Sequence, residues 1–267
     1  MWGGWVLNAS PRFVPGFWVR ILAVANRHRV VYGNHFWTNS FPTVIEPLIF
    51  IMAVGWGLSK LVGNMDGVPY LSFLAPGQMM MSAVFTSAFE ESYGAYFRLS
   101  VDRNYDSMLA TPVGVREIFW GELLYTGFKG ALFSSVVLGV LTAFGTVHSG
   151  MAVCVPVMGF FTAVAFGSLG LYAVRVVSNL NQFNFFISGV VSPLIMFSGT
   201  MFPIGSLPTA VRVVAMWLPL YPMVALARSF TTGIPDPLWQ AHVLYMLVVP
   251  ASMGEVAVRL MRKKLIQ

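Results

Sequence analysis

From Thr38 almost to the C-terminal tail, the sequence is a succession of six apolar runs separated by short polar links. Each run is long enough to cross about 30 Å of hydrocarbon as a helix. The runs are Thr38–Leu61, Tyr70–Phe97, Glu117–Thr146, Met151–Val174, Gln182–Met201 and Leu238–Val258. Only 10% of the 267 residues are charged and 57% are hydrophobic, with a mean hydropathy of +0.72. Soluble domains carry about 25% charged residues. So much apolar surface cannot be hidden inside one water-soluble core of this size. The chain is therefore expected to be a single all-α integral membrane domain of six transmembrane helices.

Prolines mark where this regularity fails. Pro42 and Pro47 fall early in the first run and are expected to kink it. Between Phe202 and Pro237 lie Pro203, Pro208, Pro219, Pro222, Pro235 and Pro237, so no uninterrupted crossing fits there. This segment, 202–237, is expected to form re-entrant outer helices. Irregular backbone at membrane depth needs cover from protein or a water-filled cavity. In the fourth run Gly159, Ala163, Gly167 and Gly170 recur at small-residue spacing, which favours close helix contact but also arises by chance in so apolar a chain.

Two other segments have a different character. Phe17–Arg29 sets Phe17, Trp18, Ile21, Leu22 and Ala25 at helical spacing, with Arg20, Arg27, His28 and Arg29 elsewhere. This reads as an amphipathic helix in the membrane interface, or as an N-terminal helix packed on the body. The stretch 98–116 is the one long charged segment in mid-chain. In it Tyr105, Met108, Leu109 and Val113 fall on one helical stripe, which must end near Thr111 because Pro112 follows. A helix held between two spans has no core of its own, so its stripe is expected to press on a soluble partner. A solvated connecting loop is the plainer alternative.

Charge placement gives an orientation. Twelve of the sixteen Lys and Arg fall in the N-terminal segment, the 98–116 stretch, the link at Arg175 and the tail from Arg259. Lys60, Arg212 and Arg228 lie on the other side, and Lys129 is within a run. That bias puts both termini and the 98–116 stretch in the cytoplasm. No cleavable leader is evident in Met1–Ser10, and the sequon Asn8-Ala9-Ser10 is expected to be cytoplasmic.

Ionisable residues inside the runs are costly and face the bundle interior. They are Glu46, Glu90, Glu91, Glu122, Lys129 and Glu255. Glu90 lies about 12 Å in from Arg98, and Lys129 about 19 Å in from Arg116. Lys129 is thus expected to pair with Glu90 or Glu91, with Glu122 as rival. A structural lock between spans explains this better than a proton relay, since no file of carboxylates crosses the bilayer.

Catalytic signatures are missing. There is no phosphate-binding loop, no His-Glu-x-x-His and no nucleophile elbow, and His28, His35, His148 and His242 are scattered. No metal site is expected. The basic residues lie between apolar runs and not on one soluble face, which argues against nucleic acid. The single Cys154 excludes an internal disulfide.

Several local motifs resemble the type-2 ABC exporter permeases that move polysaccharides and lipo-oligosaccharides. They are Leu109-Ala110-Thr111-Pro112-Val113, Phe197-Ser198-Gly199-Thr200-Met201-Phe202-Pro203 with Leu207-Pro208, and Pro219-Leu220-Tyr221-Pro222 with Ala227-Arg228. Leu74-Ala75-Pro76-Gly77 and Phe85–Ser92 are similar to the nodulation protein J branch, which exports lipochitooligosaccharides. The resemblance spans nearly the whole chain. It implies a homodimer in the bacterial inner membrane with two separate ABC ATPase subunits, which would hold the ATP and Mg; this chain would need no cofactor. The 98–116 stretch would be the coupling helix, with Asp102, Arg103, Asp106, Met108 and Leu109 at the ATPase contact. The cargo would be an amphipathic saccharide. Trp18, Trp37, Trp56, Tyr93 and Tyr96 are candidates for stacking on it, although interfacial aromatics more often anchor a protein in lipid. Exporters of other substrates such as drugs share these features. A membrane transferase using Glu90-Glu91 is a second reading. An ion-coupled transporter is a third, but it would show internal repeats, which this sequence lacks.

Overall fold

A computed structural model describes residues 15–34 and 36–265. The sequon and the rest of the N-terminal stretch lie outside them. Ten helices carry the described residues. Helix α1 is Phe17–Gly33, and α2 is Phe36–Phe50, prolonged by a π-turn, Ile51–Trp56, and by Gly57–Val62. A small hairpin, Asn64–Met65 with Val68–Pro69, leads to α3, Tyr70–Phe89, which continues through a π-turn, Glu90–Gly94, into Ala95–Ser100. The short α4, Asn104–Leu109, precedes α5, Val115–Ala143, and α6, Val155–Val176. Helix α7 is built from Phe183–Phe186, a π-turn at Ile187–Val191, and Ser192–Phe197. Then come α8, Thr209–Met216, α9, Tyr221–Thr232, and α10, Trp239–Leu265.

Among the described residues, five segments are long and apolar enough to cross a membrane: Val44–Val62, Val115–Ala143, Gly150–Val176, Leu180–Phe197 and Trp239–Leu265. The expected second span, α3, is less apolar because protein surrounds it. Its Ser72, Gln78, Ser82, Thr86 and Ser87 are all buried. Helices α8 and α9 are bent by 83° to each other, so the proline-rich segment turns back instead of crossing in a straight line. Protein covers it. Arg228 donates to the Gly199 carbonyl at 2.6 Å and lies 3.8 Å over the Phe73 ring.

Two boundaries differ from the sequence expectation. The basic tail is not separate: α10 runs on to Leu265, since nothing after Gly254 breaks it. Helix α2 continues through Pro42 and Pro47, and the irregularity falls one turn later, at Ile51–Trp56.

The core lies where α3, α5 and α6 pack together, closed by α10 and α9. Small residues set the spacing. A methyl group at Gly130 of α5 would fall 2.4 Å from Ala163 Cβ and 2.8 Å from the Gly159 carbonyl oxygen of α6. One at Gly170 would fall 2.8 Å from the backbone of Glu91. These helices touch backbone to backbone.

Helix α1 packs on the body through one face. Ile21, Val24, Ala25 and His28 are buried, with Val24 set against Gly121 of α5. Trp18, Leu22, Val30 and Val31 face outward.

Candidate functional site

Helix α4 spans the gap between the end of α3 and the start of α5, and its placement follows from a few contacts. The chain leaves α3 with the amides of Val101 and Asp102 both bonded to the Phe97 carbonyl. It reverses through Arg103, whose φ is +49°. Thr111 caps the exit by donating to the Met108 carbonyl at 2.6 Å. Arg20 of α1 then ties the link down. It donates to the Pro112 carbonyl at 2.9 Å and pairs with Glu117 at 2.8 Å.

The stripe on α4 has a core after all, contrary to the expectation that only a partner could cover it. Tyr105 is 1% exposed and packs edge-on against Phe119 of α5, with Met108 buried beside it and Leu109 half-buried. The link between α3 and α5 is too short to hold the helix away from their ends. What faces outward is polar: Asp102, Arg103, Asp106 and Ser107, followed by Ala110, Thr111 and Pro112.

Beneath Tyr105 lies a network of buried ions. The Tyr105 hydroxyl donates to Glu122 of α5 at 2.8 Å. Arg98, only 11% exposed, reaches three carboxylates: Glu122 at 2.8 Å through Nε, Glu90 at 2.8 Å and Glu91 at 3.4 Å through its terminal nitrogens. Lys129 Nζ donates to Glu90 at 2.8 Å from the far side and sits 4.2 Å over the Tyr32 ring of α1. Thr126 donates to Glu91. His28 Nε2 lies 3.3 Å from Glu122 but off the hydrogen-bond line. The π-turn at Glu90–Gly94 coincides with the two adjacent carboxylates; such turns are common at functional sites.

Lys129 thus meets Glu90, while Glu91 and Glu122 are shared by other partners. Glu255 is not in this group. It lies at the arginine-rich end, held by Arg116 and Arg259, each at 2.9 Å. Pattern reading of the sequence passed over Arg98, Tyr105, His28 and Thr126 as members. The signal for Arg98 was present: it stands seven and eight residues after Glu91 and Glu90, two helical turns on the same face.

The aromatic candidates do not converge. Trp18 and Trp37 are 73% and 82% exposed on α1 and α2. Tyr93 donates to Asn184 at 3.0 Å and Tyr96 to the Ser178 carbonyl at 3.2 Å, which fastens α3 to the start of α7 and to the link that precedes it. The Trp56 side chain lies outside the described residues. Among the described residues no group of three or more His, Cys, Asp or Glu could hold a metal ion.

A multi-pass helical membrane protein, with a short polar helix keyed to buried charges between its spans, is the class that this geometry defines. The sequence model of the ABC-2 type transporter family matches residues 20–230, from α1 to within α9. The chain belongs to that family of transporter permeases, which are transport components and not enzymes. It is 30% identical over 223 residues to nodulation protein J of Rhizobium leguminosarum bv. trifolii, covering 83% of this chain and 85% of that one. Against nodulation protein J of Neorhizobium galegae it is 29% identical over 262 residues, 97% and 99% of the two chains. Inner membrane transport permease YadH of Escherichia coli (strain K12) is 25% identical over 226 residues, 82% and 86%.

Proposed function

We propose that this chain is the permease subunit of an ATP-driven exporter in the bacterial inner membrane. Two copies work with two separate ABC ATPase subunits, which hold ATP and Mg. The cargo is a lipo-oligosaccharide or another lipid-linked saccharide, moved outward. Both termini and α4 face the cytoplasm, in keeping with the arginine bias. Family membership supports the transport role, and the nodulation protein J relatives support the class of cargo.

The observation that carries the reading is the two-sided character of α4. Its outer face offers Asp102, Arg103 and Asp106 to a soluble partner. Its inner face grips Glu122 through Tyr105, and Arg98 links Glu122 to Glu90 and so to Lys129 in mid-span. A push on α4 from the ATPase is thereby delivered to charged groups deep between α3 and α5. Met108 and Leu109 act from inside, as the seat on which the contact rests.

Co-expression with an ABC ATPase from the same organism tests this. The wild-type chain is expected to co-purify with it, and Asp102→Arg with Asp106→Arg to lose the complex while inserting and folding normally. Retention of the complex by that variant would remove α4 as the docking element.

A further inference from the structure

Helix α5 begins and α10 ends at the arginine-rich end of the bundle, and a cavity of about 580 Å³ lies between them. Arg116 and Glu117 of α5, Glu255, Arg259 and Arg262 of α10, and Leu109 of α4 line it. The charges there do not cancel. Glu117 is taken by Arg20 of α1 at 2.8 Å. Glu255 alone serves both Arg116 and Arg259. Arg262 has no ion pair or hydrogen bond among the described residues. Three guanidinium groups thus share one carboxylate, an excess of two positive charges.

These groups are open to a ligand. The Arg116 and Arg259 side chains are 58% and 72% exposed. Each gives Glu255 a single nitrogen, a terminal one from Arg116 and Nε from Arg259. Their other donors have no hydrogen-bond partner among the described residues. A guanidinium with two free N–H groups matches a phosphate in bidentate fashion.

The groove has an apolar continuation. Trp120, one turn into α5 from Arg116, donates to Glu255 at 3.3 Å and lays its ring against Gly254 of α10. Beyond it Trp120, Leu124, Phe160, Phe161 and Ala251 help to line a second cavity of about 120 Å³, whose walls are aromatic and aliphatic throughout. Leu124 lies about 12 Å further along α5 than Arg116, and Ala251 about 12 Å back along α10 from Arg259. The second cavity therefore stands deeper between the same two helices. Ala251 is exposed and Leu124, Phe160 and Phe161 are half-buried, so it opens on the lipid-facing side. A soluble anion or an acidic protein loop fills only the outer cavity. A phosphate that carries hydrocarbon fills both.

We propose that the groove between α5 and α10 binds an anionic phospholipid from the leaflet at this end of the bundle. Its phosphate sits among Arg116, Arg259 and Arg262, the Trp120 indole stands at the level of the glycerol, and the root of an acyl chain enters the apolar cavity. Leu109 lines the outer cavity, so the headgroup lies against the seat of α4. The site depends on the chain's placement in a membrane and on neither its cargo nor an ATPase.

The full-length chain is reconstituted in phosphatidylcholine nanodiscs with a minor fraction of phosphatidylglycerol brominated on one acyl chain, which quenches nearby tryptophan. Quenching is expected to exceed that from brominated phosphatidylcholine at the same fraction. Trp120→Phe is expected to remove more than half of the excess. Arg259→Gln with Arg262→Gln is expected to require about tenfold or more phosphatidylglycerol for the same excess; both residues are exposed, so this variant should keep the wild-type Tm. Inorganic phosphate is expected to relieve the excess no more than chloride of equal ionic strength. Equal quenching by the two lipids, an excess undiminished in Trp120→Phe or in the arginine variant, or specific relief by inorganic phosphate would overturn the assignment. So would loss of the excess on adding an ABC ATPase that no longer binds the arginine variant, because these arginines would then serve a protein.

Discussion

Replacing Arg98 by Met removes the one guanidinium that serves Glu90, Glu91 and Glu122 together. Methionine fills similar space, so the loss is electrostatic and not a cavity. In the wild type these three carboxyl groups share Arg98 and Lys129. In Arg98→Met only Lys129 remains, bound to Glu90 alone. Breaking a buried pair by removing one partner costs about 3–5 kcal/mol. At about 2–4 °C per kcal/mol for a domain of this size, that is a fall of roughly 6–20 °C in Tm. Thermal unfolding in mild detergent, read by tryptophan fluorescence, measures it. Arg98→Lys keeps the charge, but one ammonium cannot reach three carboxylates, so an intermediate loss is expected. Adding Glu91→Gln and Glu122→Gln to Arg98→Met leaves Glu90 against Lys129, 2.8 Å away, and should recover more than half of the loss. A Tm for Arg98→Met within about 2 °C of wild type, or no recovery in the triple variant, would refute the view that this arginine neutralises a buried acidic cluster.

Exchanging the pair as Lys129→Glu with Glu90→Lys is expected to fail as a rescue. The new Lys at position 90 would meet Arg98, now 2.8 Å from Glu90; recovery of Tm in that double variant would show that Glu90 and Lys129 act as an isolated pair. Gly170→Val should destabilise by about 1–3 kcal/mol through overpacking, since its Cβ would lie 2.8 Å from the Glu91 backbone. The same change at Gly139, where nothing lies within 4 Å, should leave Tm nearly unchanged, and equal effects at the two sites would contradict the close α3–α6 approach.

The helical architecture was legible because each apolar run is longer than any soluble helix needs and the prolines crowd into one segment. The pairing of Lys129 with Glu90 was within reach of helical rise alone. Arg98 was not read as part of that cluster because its sequence neighbours made it look like an ordinary interfacial cation. Whether such a residue faces water or turns inward depends on the neighbouring helices, here α5 with Glu122, which no local pattern contains. Tyr105 and Met108 show the same limit. Their spacing announced an apolar face but not what covers it, and the covering surface comes from Phe119 and the chain's own core. The groove between α5 and α10 was invisible for a related reason. Arg116, Arg259 and Arg262 read as ordinary cations at the ends of spans, and only the packing of α5 beside α10 sets them around one space.

The most direct measurement is outward movement of a fluorescent acylated oligosaccharide in inverted membrane vesicles. Four preparations are compared: this chain alone, a partner ABC ATPase alone, both together, and both with Asp102→Arg and Asp106→Arg in this chain. Accumulation is expected only when both wild-type proteins and hydrolysable ATP are present. Equal accumulation with this chain alone, or with ATP omitted, would contradict a permease driven through α4 by a separate nucleotide hydrolase.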